Sequence, residues 1–178
     1  MTNSNKTAIY VTNLGKYNEG MLVGEWLPLP ADADEIAACL DRIGINEYYE
    51  EYFITDYDDY TDFDLYDIFG EYSQIEIISD FVETVESLED YEQEIMAAFM
   101  NEGYDSEEAL EKTKDGDYML FYDCHSMAEV AEQYCEECGV LDQMPDHLRY
   151  YFDFEAYGRD MSFEGHFVEI ESGYIEIF

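Results

Sequence analysis

Between Ile43 and Glu111 the chain contains no lysine and no arginine. The same stretch interleaves carboxylates with tyrosines: Glu47-Tyr48-Tyr49-Glu50-Glu51-Tyr52, then Asp56-Tyr57-Asp58-Asp59-Tyr60, then Asp62-Phe63-Asp64. It continues through Glu71, Glu76, Asp80, Glu83, Glu86, Glu89, Asp90, Glu92 and Glu94. A second run without lysine or arginine extends from Asp115 to Leu148. Any compact fold must hold these charges near one another with little to neutralise them, and that self-repulsion destabilises the folded state. The function is expected to explain the cost.

The remaining composition says what this charge sits on. A chain of 178 residues suits one large domain or two or three small ones. Its 45 acidic and 7 basic residues leave a net charge of -38, against roughly 2 to 8 in magnitude for an ordinary small soluble domain. Disorder driven by charge goes with few aromatic residues. Here there are 18 Tyr and 11 Phe, so a folded chain with a sizeable core is expected. Such a surface repels nucleic acid and anionic membrane and attracts basic proteins or cations. The opening Met1-Thr2-Asn3-Ser4-Asn5-Lys6 lacks the apolar region of a signal peptide, and no run is long enough to span a bilayer. Cys39, Cys124, Cys135 and Cys138 are therefore expected as thiols in a reducing cytoplasm rather than as a disulfide framework.

Taken in order, Thr7 to Asn13 is β-branched and aromatic and reads as a strand. Leu14 to Gly20 reads as a loop, and Leu22 to Leu27 as a second strand ended by Pro28 and Pro30. Asp32 to Ile43 has apolar residues at helical spacing, with Asp32 or Asp34 to cap it and Gly44 to close it. Tyr52-Phe53-Ile54 is a short third strand. From Tyr72 the period turns helical: Ile75, Ile78, Val82 and Val85 form one stripe. Ser87 is placed to cap a next helix, with Leu88, Tyr91, Ile95 and Phe99 inward, and Gly103 to end it. Asp105 and Glu108 have the spacing to open a third. Asp117 to Asp123 is a strand candidate. Ser126 and Glu129 form a capping box for a helix stopped at Gly139. Pro145 suits the first turn of a helix reaching about Phe154. Gly165 to Glu171 and Tyr174 to Phe178 read as a hairpin turning at Ser172-Gly173.

Three segments carry a resemblance. They are Ile9-Tyr10-Val11-Thr12-Asn13-Leu14-Gly15-Lys16-Tyr17-Asn18-Glu19-Gly20 with Val23-Gly24-Glu25-Trp26; Gly44-Ile45-Asn46-Glu47-Tyr48-Tyr49-Glu50-Glu51-Tyr52-Phe53-Ile54-Thr55-Asp56-Tyr57; and Tyr151-Phe152-Asp153-Phe154-Glu155-Ala156-Tyr157-Gly158-Arg159-Asp160. Together they resemble the ArdA antirestriction family. That resemblance implies proteins of mobile genetic elements that act in the recipient bacterial cytoplasm. It implies inhibition of type I restriction–modification enzymes by occupying the DNA-binding groove of the methyltransferase core as mimics of double-stranded DNA. It also implies homodimers joined through C-terminal domains. The expected fold is α+β: an elongated chain of three small domains, with short antiparallel sheets, helices and a central helical unit. Its divisions are an N-terminal α+β domain over 1–65, a central helical domain over 66–114 and a C-terminal α+β, dimerising domain over 115–178.

The charge is of the right order for mimicry. B-DNA carries about two negative charges per base pair, so an excess of 38 matches roughly 19 base pairs. Phosphate contacts position a DNA-binding protein while base contacts specify sequence, so a mimic of phosphates alone can inhibit enzymes with different target sequences. The candidate phosphate-mimicking residues are Glu47, Glu50, Glu51, Asp56, Asp58, Asp59, Asp62, Asp64, Glu71, Glu76, Asp80, Glu83, Glu86, Glu89, Asp90, Glu92 and Glu94, acting collectively. Surface tyrosines can pack against arginine. Among the scarce cations Lys16, Arg42, Arg149 and Arg159, structural ion pairs are expected, with Arg159 the best candidate.

Other readings fit less of the chain. A merely solvated acidic surface and adaptation to high salt both accommodate the charge, and so does inhibition of another basic DNA-binding protein such as a histone-like protein. Asp56-x-Asp58-x-x-x-Asp62 hints at a calcium loop, but its sixth and twelfth positions hold Thr61 and Asp67 rather than Gly and Glu. Cys135-Glu136-Glu137-Cys138 is a single CxxC late in a helix, without a second ligand pair. No carboxylate pair stands out as acid and base, His147 and His166 lie in no nucleophile arrangement, and no Gly-rich phosphate loop is present. The expectation is a non-enzymatic protein without cofactor, metal, membrane contact or direct nucleic-acid binding.

Overall fold

The computed structural model describes residues 6–61, 63–142 and 144–178. The fold is α+β, with helices around two three-stranded antiparallel sheets. Contacts divide the chain into two compact units, meeting between Glu89 and Asp90.

The first unit begins with β1 (Ala8–Asn13), which runs straight into α1 (Leu14–Asn18). The expected loop over 14–20 is instead a helical turn, because the Asn13 side chain accepts from Lys16 N at 2.9 Å and caps it. β2 (Gly24–Pro28) follows, then α2 (Ala33–Ile43). Asp32 opens α2 with a complete capping box to Glu35, and Gly44 closes it in the left-handed conformation at φ 82°. β3 (Tyr52–Asp58) is longer than expected, and α3 (Leu65–Phe69) and α4 (Ile75–Glu86) complete the unit.

β1 is the central strand, between β2 and β3. Its register places Ile9 beside Leu27 and Tyr57, and Val11 beside Glu25 and Ile54. Residues directly opposite share a face. Ile9, Val11, Leu27 and Ile54 are buried on that face, together with Ile36, Cys39 and Ile43 of α2. On α4 the expected stripe Ile75, Ile78, Val82 and Val85 is buried, with Phe81 beside it. Ser79, also buried, accepts from Ala31 N at 2.8 Å and donates to Ala31 O at 2.9 Å, tying α4 to the entry of α2. Ser87 closes α4, its hydroxyl donating to Thr84 O at 2.6 Å. The opposite face of the sheet carries Tyr10, Trp26 and Asp56 in one cross-strand row.

The second unit contains α5 (Asp90–Asn101), α6 (Ser106–Asp115), β4 (Tyr118–Tyr122), α7 (Met127–Glu137), α8 (Asp146–Arg149), α9 (Phe154–Glu164), β5 (His166–Ile170) and β6 (Gly173–Ile177). β6 is central and pairs with β4 and β5. One face of this sheet packs Phe121, Met119, Phe167 and Tyr174 with Val130, Met127 and Tyr134 of α7 and Met161 of α9. The other face meets α5, where Ile95, Met96, Ala98 and Phe99 are buried and Phe99 contacts the Tyr118 ring at 6.3 Å. Tyr91, expected inside, is 42% exposed, because it lies in the first turn of α5.

Asp105 caps α6, as its spacing indicated, accepting from Glu107 N and Glu108 N. Ser126 caps α7 through Glu129 N, but the Glu129 carboxylate reaches back to His125 N at 2.6 Å, so half of the expected box is displaced by one residue. The helix expected from Pro145 to Phe154 stops at Arg149, and a separate helix, α9, begins after Asp153, whose side chain accepts from Ala156 N. Gly158 is the reason α9 can lie against α7: a Cβ there would collide with the Met127 carbonyl.

Candidate partner-binding surface

The acidic loop between α2 and β3 is held by the segment Asn13–Lys16. Asn13 Nδ2 donates to Ile43 O at 3.3 Å and to Gly44 O at 3.2 Å. Lys16 Nζ donates to Ile43 O at 2.9 Å. A cation and an amide thus satisfy carbonyls at the end of α2, where the helix dipole favours positive charge. Lys16, expected in an ion pair, is a helix cap instead. Its ammonium also lies 5.7 Å from the centre of the Tyr49 ring. Gly15 lets that ring approach: a Cβ on Gly15 would sit 2.5 Å from Tyr49 Cδ1. Tyr49 donates its hydroxyl to Glu19 Oε2 at 3.0 Å, which raises its pKa. Asn46 Oδ1 accepts from Tyr48 N and Tyr49 N and folds the loop tip. The loop holds Glu47, Glu50 and Glu51 exposed, with Tyr48 83% exposed beside them.

Further along, Asp56 and Asp58 project from the open face of β3 and are exposed. Asp59 turns inward: its carboxylate accepts from Thr61 N and Thr61 Oγ1 at 2.8 and 2.7 Å and from Leu65 N at 3.1 Å. Asp64 is exposed but caps α3, accepting from Asp67 N at 3.0 Å. Asp62 lies outside the described residues. Glu71 is half-buried, and its carbonyl accepts from Ile54 N at 2.8 Å.

On α4, Glu76, Asp80 and Glu83 follow helical spacing. They form one wall of a groove of about 560 Å³ whose other wall carries Asp32 and Glu35 of α2. Sequence reading had Asp32 only as a helix cap and left Glu35 unassigned. Glu86 and Glu89 are exposed. These residues, from Glu47 to Glu89, belong to the first unit.

Asp90, Glu92 and Glu94 belong to the second. Asp90 and Glu92 occupy the first turn of α5, where negative charge is favourable to the helix. Glu94 is half-buried and accepts from Ser172 N at 2.8 Å, bracing the β5–β6 turn.

The cations are used sparingly. Arg42 forms a close pair with Glu25, its Nη2 2.7 Å from Oε1 and its Nε 2.9 Å from each carboxylate oxygen, which lowers the Glu25 pKa. Arg149 donates to Met144 O and Asp142 O, with Asp146 at 3.7 Å. Arg159 is exposed and lies 4.0 Å from its neighbour Asp160, a contact of little energetic weight. Among the described residues the ion pairs use Glu25, Glu102, Asp117, Asp123, Asp146 and Asp160. The described candidates from Glu47 to Glu86 are in none of them.

Burial pushes the Cys39, Cys124 and Cys135 thiols up, away from the reactive thiolate. Among the described residues no group of three or more His, Cys, Asp or Glu is placed to hold a metal ion, and no helix is long and apolar enough to cross a membrane. His166 pairs with Glu102 at 2.8 Å.

A search of curated proteins returns no match. A family model for the antirestriction protein ArdA matches residues 9–176, and the chain belongs to that family.

Proposed function

We propose that this member of the ArdA antirestriction family is a DNA mimic that occupies the DNA-binding groove of type I restriction–modification enzymes, at their methyltransferase core. One observation carries the reading. The exposed carboxylates Glu47, Glu50, Glu51, Asp56, Asp58, Glu76, Asp80, Glu83 and Glu86 stand on a folded frame and lie outside the ion pairs among the described residues. Two of that unit's three cations are turned to other work: Lys16 caps α2 and Arg42 holds Glu25, while Lys6 stands exposed ahead of β1. The negative field is therefore left for a partner. A basic groove that pairs with carboxylates in place of phosphates sheds counterions from both surfaces, so binding is salt-dependent as DNA binding is. The protein acts as an inhibitor, without catalysis, in the cytoplasm of the bacterial host.

Asp59, Asp64 and Glu94 support the surface rather than form it, since their carboxylates are engaged by backbone N–H groups. The second unit is proposed to form the homodimer contact. Leu148, Tyr150, Tyr151, Phe163 and Phe178 are exposed there, an apolar display unusual for a solvated surface. The three-part division at 1–65, 66–114 and 115–178 is retained as a proposal for how the family chain is segmented, to be tested by limited proteolysis.

The decisive experiment is a competition titration of a type I methyltransferase on labelled DNA at several salt concentrations. Displacement at near-stoichiometric protein, weakening as salt rises, is the expected outcome. A protein folded at low salt that displaces no DNA overturns the mimicry and excludes adaptation to high salt, leaving another basic DNA-binding protein as the target.

A further inference from the structure

The open face of the first sheet combines an aromatic pair with carboxylates. Tyr10 of β1 is directly opposite Trp26 of β2 and Asp56 of β3. The two rings meet edge to face, with centroids 5.2 Å apart and planes at 74°. Gly24 makes room for this pair: a Cβ there would stand 2.5 Å from Tyr10 Cε1. Trp26 remains 42% exposed. Asp56 and Asp58 are exposed on the same face, and so is Thr55, which sits at the bulge between the Tyr10 and Val11 registers. At one end of this row the face is closed by Phe53 under Tyr17 and Tyr72. Of the first unit's described cations, Arg42 is held by Glu25 and Lys16 by α2, while Lys6, two residues before β1, is exposed and in no ion pair among the described residues.

We infer that this row is a docking site for an arginine side chain of the basic partner. The inference rests on the mimicry proposed above and gives it a chemical preference. Cross-strand neighbours stand roughly 5 Å apart. A guanidinium stacked on Tyr10, between Trp26 on one side and Asp56 on the other, therefore reaches the Asp56 carboxylate with its in-plane N–H groups while bordering the Trp26 ring. Arginine satisfies both demands because it is planar, stacks on aromatic faces and forks onto carboxylates, whereas lysine offers a compact, strongly hydrated point charge. A phosphate backbone has no aromatic face, so at this row the protein does more than copy DNA charge.

Trp26 is the only tryptophan of the chain, so its fluorescence reports on this row alone. The test titrates the full-length protein with oligo-arginine and oligo-lysine peptides of equal length that lack aromatic residues. The expected result is a saturable change in Trp26 emission with oligo-arginine, and affinity roughly three- to tenfold above that for oligo-lysine. Trp26→Ala, checked for folding by circular dichroism and titrated by calorimetry because it has no tryptophan, is expected to lose this preference while keeping its affinity for oligo-lysine. Asp56→Asn, an exposed change that leaves the aromatic pair in place, is expected to reduce the preference and to keep the emission change. Equal affinities for the two peptides, an unresponsive Trp26, or a preference that survives both substitutions overturns the inference. The methyltransferase competition separates the two proposals. Wild-type protein that displaces no DNA sinks the mimicry whatever the peptides show. Folded Trp26→Ala that competes as well as wild type sinks only the arginine site.

Discussion

The two units contain sheets of the same size and design, each three antiparallel strands with one strand in the middle, yet they are covered differently. In the second unit helices lie on both faces: α7 and α9 on one side, α5 on the other. In the first, α2 covers one face, with α4 packed against α2, and the row of Tyr10, Trp26 and Asp56 is left open on the other. Both units expose large side chains: Leu22, Trp26, Tyr48, Tyr72 and Ile77 in the first, and Leu148, Tyr150, Tyr151 and Phe163 around the α8–α9 segment in the second. The difference lies in cover rather than in charge: the first unit carries 21 acidic residues and the second 24, but only the first leaves a sheet face open.

The largest effect that would sharpen this contrast comes from charge removed in blocks. Converting Glu47, Glu50, Glu51, Glu76, Asp80 and Glu83 together to their amides is expected to weaken competition with DNA on the order of a thousandfold or more near 0.1 M salt, given a slope of about 0.9 per contact. Any one of these changes alone is expected to cost less than about tenfold. A block of six in the second unit, at Glu107, Glu108, Glu111, Glu132, Glu136 and Glu155, is expected to do little. Equal losses from the two blocks, or a single substitution that abolishes inhibition, would break the proposed assignment of the contact surface to the first unit.

Next in size is Gly158→Ala. The added methyl meets the Met127 carbonyl where α9 crosses α7, and a loss of about 2–3 kcal/mol is expected from overpacking. Denaturant titration measures it, and an unchanged midpoint would show that the crossing is loose.

Lys16→Met is expected to cost about 1–2 kcal/mol through the lost cap on α2, and to free the Tyr49 loop for proteolysis. Arg159→Ala, by contrast, removes an exposed contact, so its effect on monomer melting is expected to stay under about 0.5 kcal/mol. Any larger effect should be seen in the dimer dissociation constant, measured by sedimentation. If Arg159→Ala melts the chain as severely as Lys16→Met, the assignment of structural work among the cations is reversed.

The smallest effect concerns Glu176, which burial beneath α7 and α9 pushes up in pKa. A carboxylate whose folded pKa exceeds its unfolded value, about 4.3, costs stability once it ionises in the fold. Above the folded pKa that penalty is complete; below the unfolded pKa it vanishes. Glu176→Gln is therefore expected to raise the melting temperature modestly at neutral pH and to leave it unchanged at strongly acidic pH. A gain that persists in acid would assign the effect to packing.

Much of the fold was legible because its signals are local. The Asp32–Glu35 box, Gly44, the α4 stripe and the β5–β6 hairpin depend on residues a few positions apart. α9 was not legible: Gly158 opposes a helix in isolation, and its helical stretch is favoured by contact with α7, distant in sequence. α1 was read as loop for the same reason, since Gly15 looks like a breaker until the Tyr49 ring is placed over it. In the candidate surface, Asp59 reads like its neighbours, and only folding turns it onto Thr61 and Leu65.

The sequence by itself determined the sign and density of the charge, the apolar stripes that bury beneath it and the family signature that spans the chain. These follow from composition and short-range periodicity, which need no partner from elsewhere in the molecule. The tertiary structure decided which carboxylates face water and which brace a turn, what the few cations hold, and which sheet face stays open. Those outcomes depend on hydrogen bonds and steric contacts between residues far apart in the chain, such as Lys16 with Ile43, Ser79 with Ala31 and Glu94 with Ser172.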